Sequence, residues 1–430
     1  MFTTFRGRLP TAGAPRNGFF GWRVAWAAFV VAIFGWGIGF YGMPIYLHAV
    51  HETRGWSVAL VSSAVTVHFL MGALLVANLP RLHRRFGLAT VTKAGSLALG
   101  LGVCGWSVAA EPYQLFAAAL LGGAGSASLG AAAINAMVAP WFARRRPAAL
   151  ALAYNGASVG GIVFSPLWVA LIAALGFPGA AATVAVVLAA TIWFLCGRYF
   201  ARQPSDMGFE PDGDAADAPG ASVTSPRARP LPGGSLWTDA RFVTLAAGMA
   251  LGLFAQIGLI AHLFSLLVPA LGARDAGLAM ALATACAIAG RTLVGWFMPP
   301  AADRRLVAAA NYALQIMACA AFVAAGGQNV ALLLAGVVLF GIGIGNATSL
   351  PPLIAQTEFV KDDVPRVVAL ITAMAQATYA FAPTAFGLVR EWSGPQGGNS
   401  ADAPLVFVFA AAFQAAAVVT FLAGRLRRAQ

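Results

Sequence analysis

Ala276-GLAMALATACAIAGRTLVGWF-Met298 is an apolar run with one permanent cation, Arg291, set inside it. The run is long enough to cross roughly 30 Å of hydrocarbon as a helix, which takes about 20 residues. A charge at that depth costs roughly 2.5–3.5 kcal/mol on the most lenient insertion scale, so it faces protein or a watery cavity rather than lipid. No carboxylate falls within the apolar runs as the sequence delimits them. A buried cation without a buried anion points to a partner that arrives from outside, a small organic anion.

Working outward, eleven more such runs follow the same pattern. The twelve are approximately 22–47, 57–79, 91–110, 113–140, 149–175, 180–199, 242–271, 276–298, 306–325, 330–355, 367–389 and 405–424. Hydrophobic residues make up 60% of the chain and charged residues 10%, against roughly a quarter charged in a soluble domain. The expected class is an all-α integral membrane protein, with twelve transmembrane helices in two six-helix bundles.

The net charge of +12 is distributed as a topology signal. With the N-terminus inside, the inner segments carry Arg6, Arg8, Arg16, Arg23, Arg81, Arg84, Arg85 and Arg144 to Arg146. Further along they carry Arg304, Arg305, Lys361, Arg366 and the arginines after 424, among others. The outer loops hold only Arg54, Arg274 and Arg390. That asymmetry predicts both termini in the cytoplasm and argues against nucleic acid as a partner. A polar basic tail precedes the first run, which is too long for a signal-peptide core. Cys104, Cys196, Cys286 and Cys319 lie in four different runs without ligand spacing and read as small buried hydrophobes. No cofactor and no metal site is expected.

Residues 1–200 form one expected half and 241–430 the other, joined by a cytoplasmic linker over 201–240. The linker contains Pro211-Asp-Gly-Asp-Ala-Ala-Asp-Ala-Pro219, too poor in apolar residues to fold alone. The halves echo each other at an offset of about 220 residues. Arg146-Pro-Ala-Ala-Leu150 parallels Arg366-Val-Val-Ala-Leu370, and Gly39 parallels Gly258. Glycines at 122–130, 156–161 and 341–345 predict close helix packing. Pro44, Pro166, Pro351, Pro352 and Pro383 predict kinks.

Besides Arg291, two histidines fall at membrane depth, His68 and His262. Each suits a neutral hydrogen bond to a carboxylate, proton coupling, or a plain backbone contact. Asn135, Asn155, Gln256, Asn346, Gln376 and Tyr379 are uncharged polar groups in other runs, and most such groups serve helix–helix hydrogen bonds. Asn155, Gln376 and Tyr379 stand out because they neighbour glycine or proline interruptions in helices at matching positions of the two halves.

Several loop motifs carry a resemblance. Gly18-Phe-Phe-Gly21-Trp22, Trp141-Phe-Ala-Arg-Arg-Arg146, Gly156-Ala-Ser-Val-Gly160 and Arg202-Gln-Pro-Ser-Asp-Met-Gly208 through Pro211-Asp-Gly213 resemble the major facilitator superfamily. Within it, they resemble the bacterial monocarboxylate porter and oxalate–formate antiporter branch. Gly290-Arg291-Thr-Leu-Val-Gly295 is similar to the eighth-span pattern in which that branch places its carboxylate-gripping arginine. The same Gly-Arg also occurs in the superfamily as a gating motif leading to an aspartate. Here Pro299 takes the aspartate's place, and Asp303, one turn on, is a candidate partner for Arg291. Arg84 stands where the superfamily usually has aspartate. Ala287 replaces the acid that proton-coupled porters carry, and their first-span lysine has no counterpart near Gly39–Tyr41.

The resemblance implies a monomeric carrier in a bacterial cytoplasmic membrane. It would move a small organic anion by alternating access, with protons or a counter-anion as coupling partner and no enzymatic activity. Arg291, His262, Tyr379, Gln376, Asn155 and His68 are the expected substrate-binding residues. An exporter of lipophilic solutes and a transporter-like sensor are the alternatives.

Overall fold

The computed structural model describes residues 19–208, 210–213, 235–299, 302–360, 363–393 and 404–426. All regular elements among them are helical. Ten stretches are long and apolar enough to cross a membrane. The first four are Phe20–Arg54 (α1), Val58–Phe86 (α2), Leu88–Val108 (α3) and Pro112–Trp141 (α4). Arg146–Phe200 and Ala240–Phe297 follow, then Arg304–Ala325, Val330–Glu358, Val364–Trp392 and Pro404–Arg425.

Two of the ten are double. Arg146–Phe200 breaks at Gly176 (φ 68°, ψ 166°) and Ala240–Phe297 at Gly272 (φ 74°, ψ 163°), a backbone region that is essentially glycine-only. The arms 146–175 and 177–200 are α5 and α6, and 240–271 and 273–297 are α7 and α8. The last four stretches are α9 to α12. Ten stretches with two breaks are consistent with the twelve runs read from the sequence. The chain ends lie outside the described residues, as do 214–234 of the expected linker.

Three of the five helix-interrupting prolines have a simple local role. After α1 breaks at residues 40–42, α10 at 348–349 and α11 at 380–381, the helix resumes with Pro44, Pro351 or Pro383 in its first turn. There proline's missing N–H would have been unpaired anyway. Pro166 instead sits inside an uninterrupted stretch of α5.

Glycine-lined contacts set the helix directions. Gly95, Gly102 and Gly105 of α3 face Ser128, Gly122 and Ala118 of α4, so the two run antiparallel. Gly156 and Gly160 of α5 meet Phe29 and Ile33 of α1, while Gly341 and Gly345 of α10 meet Ala283 and Ala287 of α8, both in parallel register. A Cβ at Gly156, Gly160 or Gly345 would strike the facing backbone. This is how helices approach closely where lipid supplies no hydrophobic drive.

The first six helices meet the last six through two antiparallel pairs. Along α2 and α11, Ala59 N donates to Glu391 Oε1 (2.7 Å), Ser62 abuts Gly387, and Thr384 Oγ1 donates to Thr66 Oγ1 (2.7 Å). Along α5 and α8, Gly161 faces Thr284, and Ser165, Pro166 and Val169 surround Gly277. All these contacts cluster toward the end of the molecule that carries Gly55, Gly176 and Gly272.

At the opposite end, charges pair within the last six helices. Arg305 and Glu358 are both buried and form a two-pronged ion pair, Nε to Oε1 and Nη2 to Oε2, each 2.7 Å. Arg305 also donates to Thr244 Oγ1 and to the Arg241 carbonyl. This corrects the sequence-based boundary of the tenth run: α10 continues through Glu358, so a carboxylate does enter a membrane-length helix. Asp303 caps α9 through the amides of Arg305 and Leu306 and accepts from Arg425 Nε at 2.7 Å. Its partner is therefore Arg425, not Arg291. Arg390, expected in an outer loop, is a buried residue of α11 that donates to Ser265 Oγ.

Part of the expected linker is ordered against the first half. Asp212, a non-glycine residue at φ 69°, accepts from the amides of Ala143, Arg144 and Arg145 at 3.3, 2.7 and 3.1 Å. Its side chain is only 3% exposed. The Pro211-Asp-Gly213 motif thus clasps the α4–α5 loop.

Candidate functional site

Four helices enclose a cavity of about 180 Å³. The break in α1 places Trp36 and Phe40 on one wall, α2 contributes His68 and Phe69, and α11 contributes Gln376 and Tyr379 just before its own break. Glycines of α1, α2 and α4, with Ser126, make up much of the rest. Phe69 lies 6.1 Å from Phe40 and 6.2 Å from Tyr379 between ring centroids. The edge-on Phe69–Tyr379 contact brings an aromatic of the first half to one of the second.

His68 is 1% exposed, and neither ring nitrogen has a hydrogen-bond partner. Its backbone packs on Gly123 and its ring on Gly122. The Gly39 backbone faces the ring without forming a well-shaped hydrogen bond. A buried, unpartnered polar group is costly, by about 1–3 kcal/mol, and one on a cavity wall is poised for a solute.

Arg291 lies on a different surface. Its Nε donates to the Gly345 carbonyl at 3.0 Å, and no carboxylate among the described residues pairs with it. Thr284 fixes the direction of that face of α8, since it touches Gly161 of α5 and bonds the Tyr41 hydroxyl of α1. Seven residues on, Arg291 is only about 20° off the Thr284 direction and about 10 Å further along the helix. It therefore faces the first half where the two halves no longer touch, exposed and within electrostatic reach of Tyr41. Phe40 and Tyr41 are adjacent, with ring centroids 5.1 Å apart, so they link the cavity wall to the arginine's surroundings.

Of the six expected binding residues, the structure gathers His68, Gln376 and Tyr379 around the cavity. Arg291 is on the cleft face of α8 but outside the lining. His262 is elsewhere: fully buried near Ser62, its Nε2 lies 3.0 Å from the Pro383 carbonyl. That carbonyl can only accept, so Nε2 carries the hydrogen, and Nδ1 has no partner. The geometry is that of a seam residue between α2, α7 and α11. Asn155 is exposed on α5 and does not reach the cavity. Gln256 joins a buried amide chain with Gln315 and Gln414, the structural role expected of such residues. Sequence reasoning passed over Trp36, Phe40, Tyr41 and Phe69. The only signal was Phe40-Tyr41 following Gly39 at the helix break.

A multi-pass helical membrane protein whose two halves touch at one end and part at the other is the class this geometry defines. The chain belongs to the Major Facilitator Superfamily, whose family pattern it matches over residues 25–383. It is similar to the MFS transporter asaE of Aspergillus flavus, 28% identical over 211 residues, covering 46% of this chain and 45% of that one. It is also similar to MFS-type transporter 1 of an Ophiocordyceps species, 28% identical over 172 residues, covering 39% and 37%. The matches span less than half the length of these fungal relatives. Among solved structures, the nucleoside transporter NupG shares the fold with TM-score 0.72 at 12% identity, covering 94% of this chain and 98% of that one. A bacterial homologue of the human lysosomal transporter Spinster, in an inward-facing and occupied conformation, does so with TM-score 0.69 at 15% identity, covering 95% and 97%.

Proposed function

We infer that the protein is a secondary transporter for a small organic anion, resembling the monocarboxylate branch of its superfamily, in a bacterial cytoplasmic membrane. The observation that carries this reading is Arg291: a permanent cation on the cleft face of a membrane-length helix, steadied by one carbonyl, with the rest of its guanidinium fork unclaimed by any carboxylate among the described residues. Such a fork suits a carboxylate. With the basic loops inside, the parted end faces the cytoplasm and the cleft is open inward. Alternating access then requires the α2–α11 and α5–α8 seams to open as the other end closes. Uptake of an anion against about 100 mV costs roughly 2.3 kcal/mol per charge, so import needs a co-transported proton or an exchanged anion.

The test is uptake of radiolabelled pyruvate and benzoate into proteoliposomes. Arg291→Gln should cut uptake by about 10- to 100-fold, as loss of a hydrogen bond to a charged group implies, with the protein still monodisperse. Unchanged uptake would refute the assignment. A second reading, export of a lipophilic solute, is favoured by the cavity itself, which is aromatic-walled and lined by no acidic or basic chain other than the imidazole of His68.

A further inference from the structure

The cavity between α1, α2, α4 and α11 has three properties that together specify a ligand. The first is size: at about 180 Å³ it slightly exceeds the roughly 150 Å³ engineered cavity that takes up benzene. The second is its walls. Trp36, Phe40, Phe69 and Tyr379 present faces and edges from both halves, the surroundings in which a flat ring finds offset and edge-on partners. The floor is of small residues: a Cβ built on Gly72 would meet nothing nearer than the Gly123 carbonyl at 3.5 Å, so the space at that point is unfilled. The third is polarity. His68 is nine-tenths buried and more, borders the space, and has both ring nitrogens unpartnered.

A short aliphatic acid would leave most of this aromatic surface without contact and His68 unsatisfied. An apolar ring alone would satisfy the walls but not the imidazole. A ring carrying a hydroxyl or similar polar substituent satisfies both. We propose that this cavity seats the aromatic ring of the transported acid and that His68 hydrogen-bonds a polar substituent on that ring, making the substrate class small hydroxylated aromatic carboxylates. The assignment of the carboxylate to Arg291 rests on the reading above, whereas the ring seat stands on the cavity alone.

Binding is measured on the full chain in nanodiscs through intrinsic tryptophan fluorescence, with Trp36 in the wall as reporter. The probes are propionate, benzoate, 4-hydroxybenzoate and benzyl alcohol, the last an uncharged ring. Wild type should bind benzoate at least ~10-fold more tightly than propionate, the discrimination apolar pockets achieve, and 4-hydroxybenzoate more tightly again. Gly72→Leu, which fills the cavity, should abolish the preference for benzoate over propionate and the binding of benzyl alcohol. His68→Leu, which removes the nitrogens while staying apolar, should erase only the preference for the hydroxyl.

Arg291→Gln should weaken all three carboxylates and leave benzyl alcohol unchanged. Equal wild-type affinity for propionate and benzoate, or an aromatic preference that survives in monodisperse Gly72→Leu protein, overturns the ring seat. Absence of binding by both aromatic probes does so as well. If Arg291→Gln leaves carboxylate binding intact while Gly72→Leu removes benzyl alcohol binding, the ring seat holds and the anion reading fails.

Discussion

Arginine means different things at different positions of this chain, and its surroundings decide which. Arg305 is 1% exposed and fully engaged by Glu358, Thr244 and a carbonyl. Removing the acid would leave that cation buried and uncompensated, which costs about 3–5 kcal/mol. Glu358→Ala is therefore expected to lower thermal stability sharply in detergent, and an unchanged melting temperature would contradict the burial. The Asp303–Arg425 pair is far more exposed and is worth about 1 kcal/mol at most. Partial burial pushes the Asp303 carboxyl up, but the Arg425 guanidinium and the Leu306 and Arg305 amides together outweigh it, so the group titrates below its ordinary value. Its contribution is therefore fully present above the ordinary carboxylate range, near pH 4, and is lost as pH falls through the lower folded-state value. Asp303→Asn should flatten the acid limb of a stability–pH profile and change little at neutral pH.

Elements here are joined by backbone conformations as much as by side chains. Gly272 holds φ 74° and ψ 163°, and a Cβ added there would meet no atom within 4 Å. Any cost of Gly272→Ala is thus backbone strain alone, about 1–3 kcal/mol, and should appear as a lower melting temperature without a packing defect. Asp212 joins elements in the other way. One carboxylate satisfies three successive amides of the α4–α5 loop, as an anion does in a backbone nest. Asp212→Ala should raise hydrogen exchange at residues 143–145 selectively. Exchange that stays at the wild-type rate would show that the clasp does not hold the loop.

For the whole molecule, the contact pattern implies which seam must open. Thr66 and Thr384 oxygens lie 2.7 Å apart across α2 and α11, close to the reach of a disulfide between cysteines placed there. A Thr66→Cys, Thr384→Cys pair should cross-link under oxidation and stop uptake until a reductant is added. Continued uptake by the cross-linked protein would mean that this seam does not open during the cycle.

Run lengths and the hydrophobic pattern determined the helical membrane class, and the runs needed only shifts of boundary. They were legible because a segment must satisfy its own backbone hydrogen bonds in lipid, which is a local property. Arg291 was legible for the same reason, since its cost depends on depth along one helix. Tertiary structure alone decided the rest. It drew Glu358 inward to Arg305, gave Asp303 to Arg425, and set His262 into a seam. It also assembled Trp36, Phe40, Phe69 and Tyr379 around His68. Those outcomes depend on which faces of separate helices meet. Glycine contacts and helix breaks set that, and no single helix's sequence encodes it.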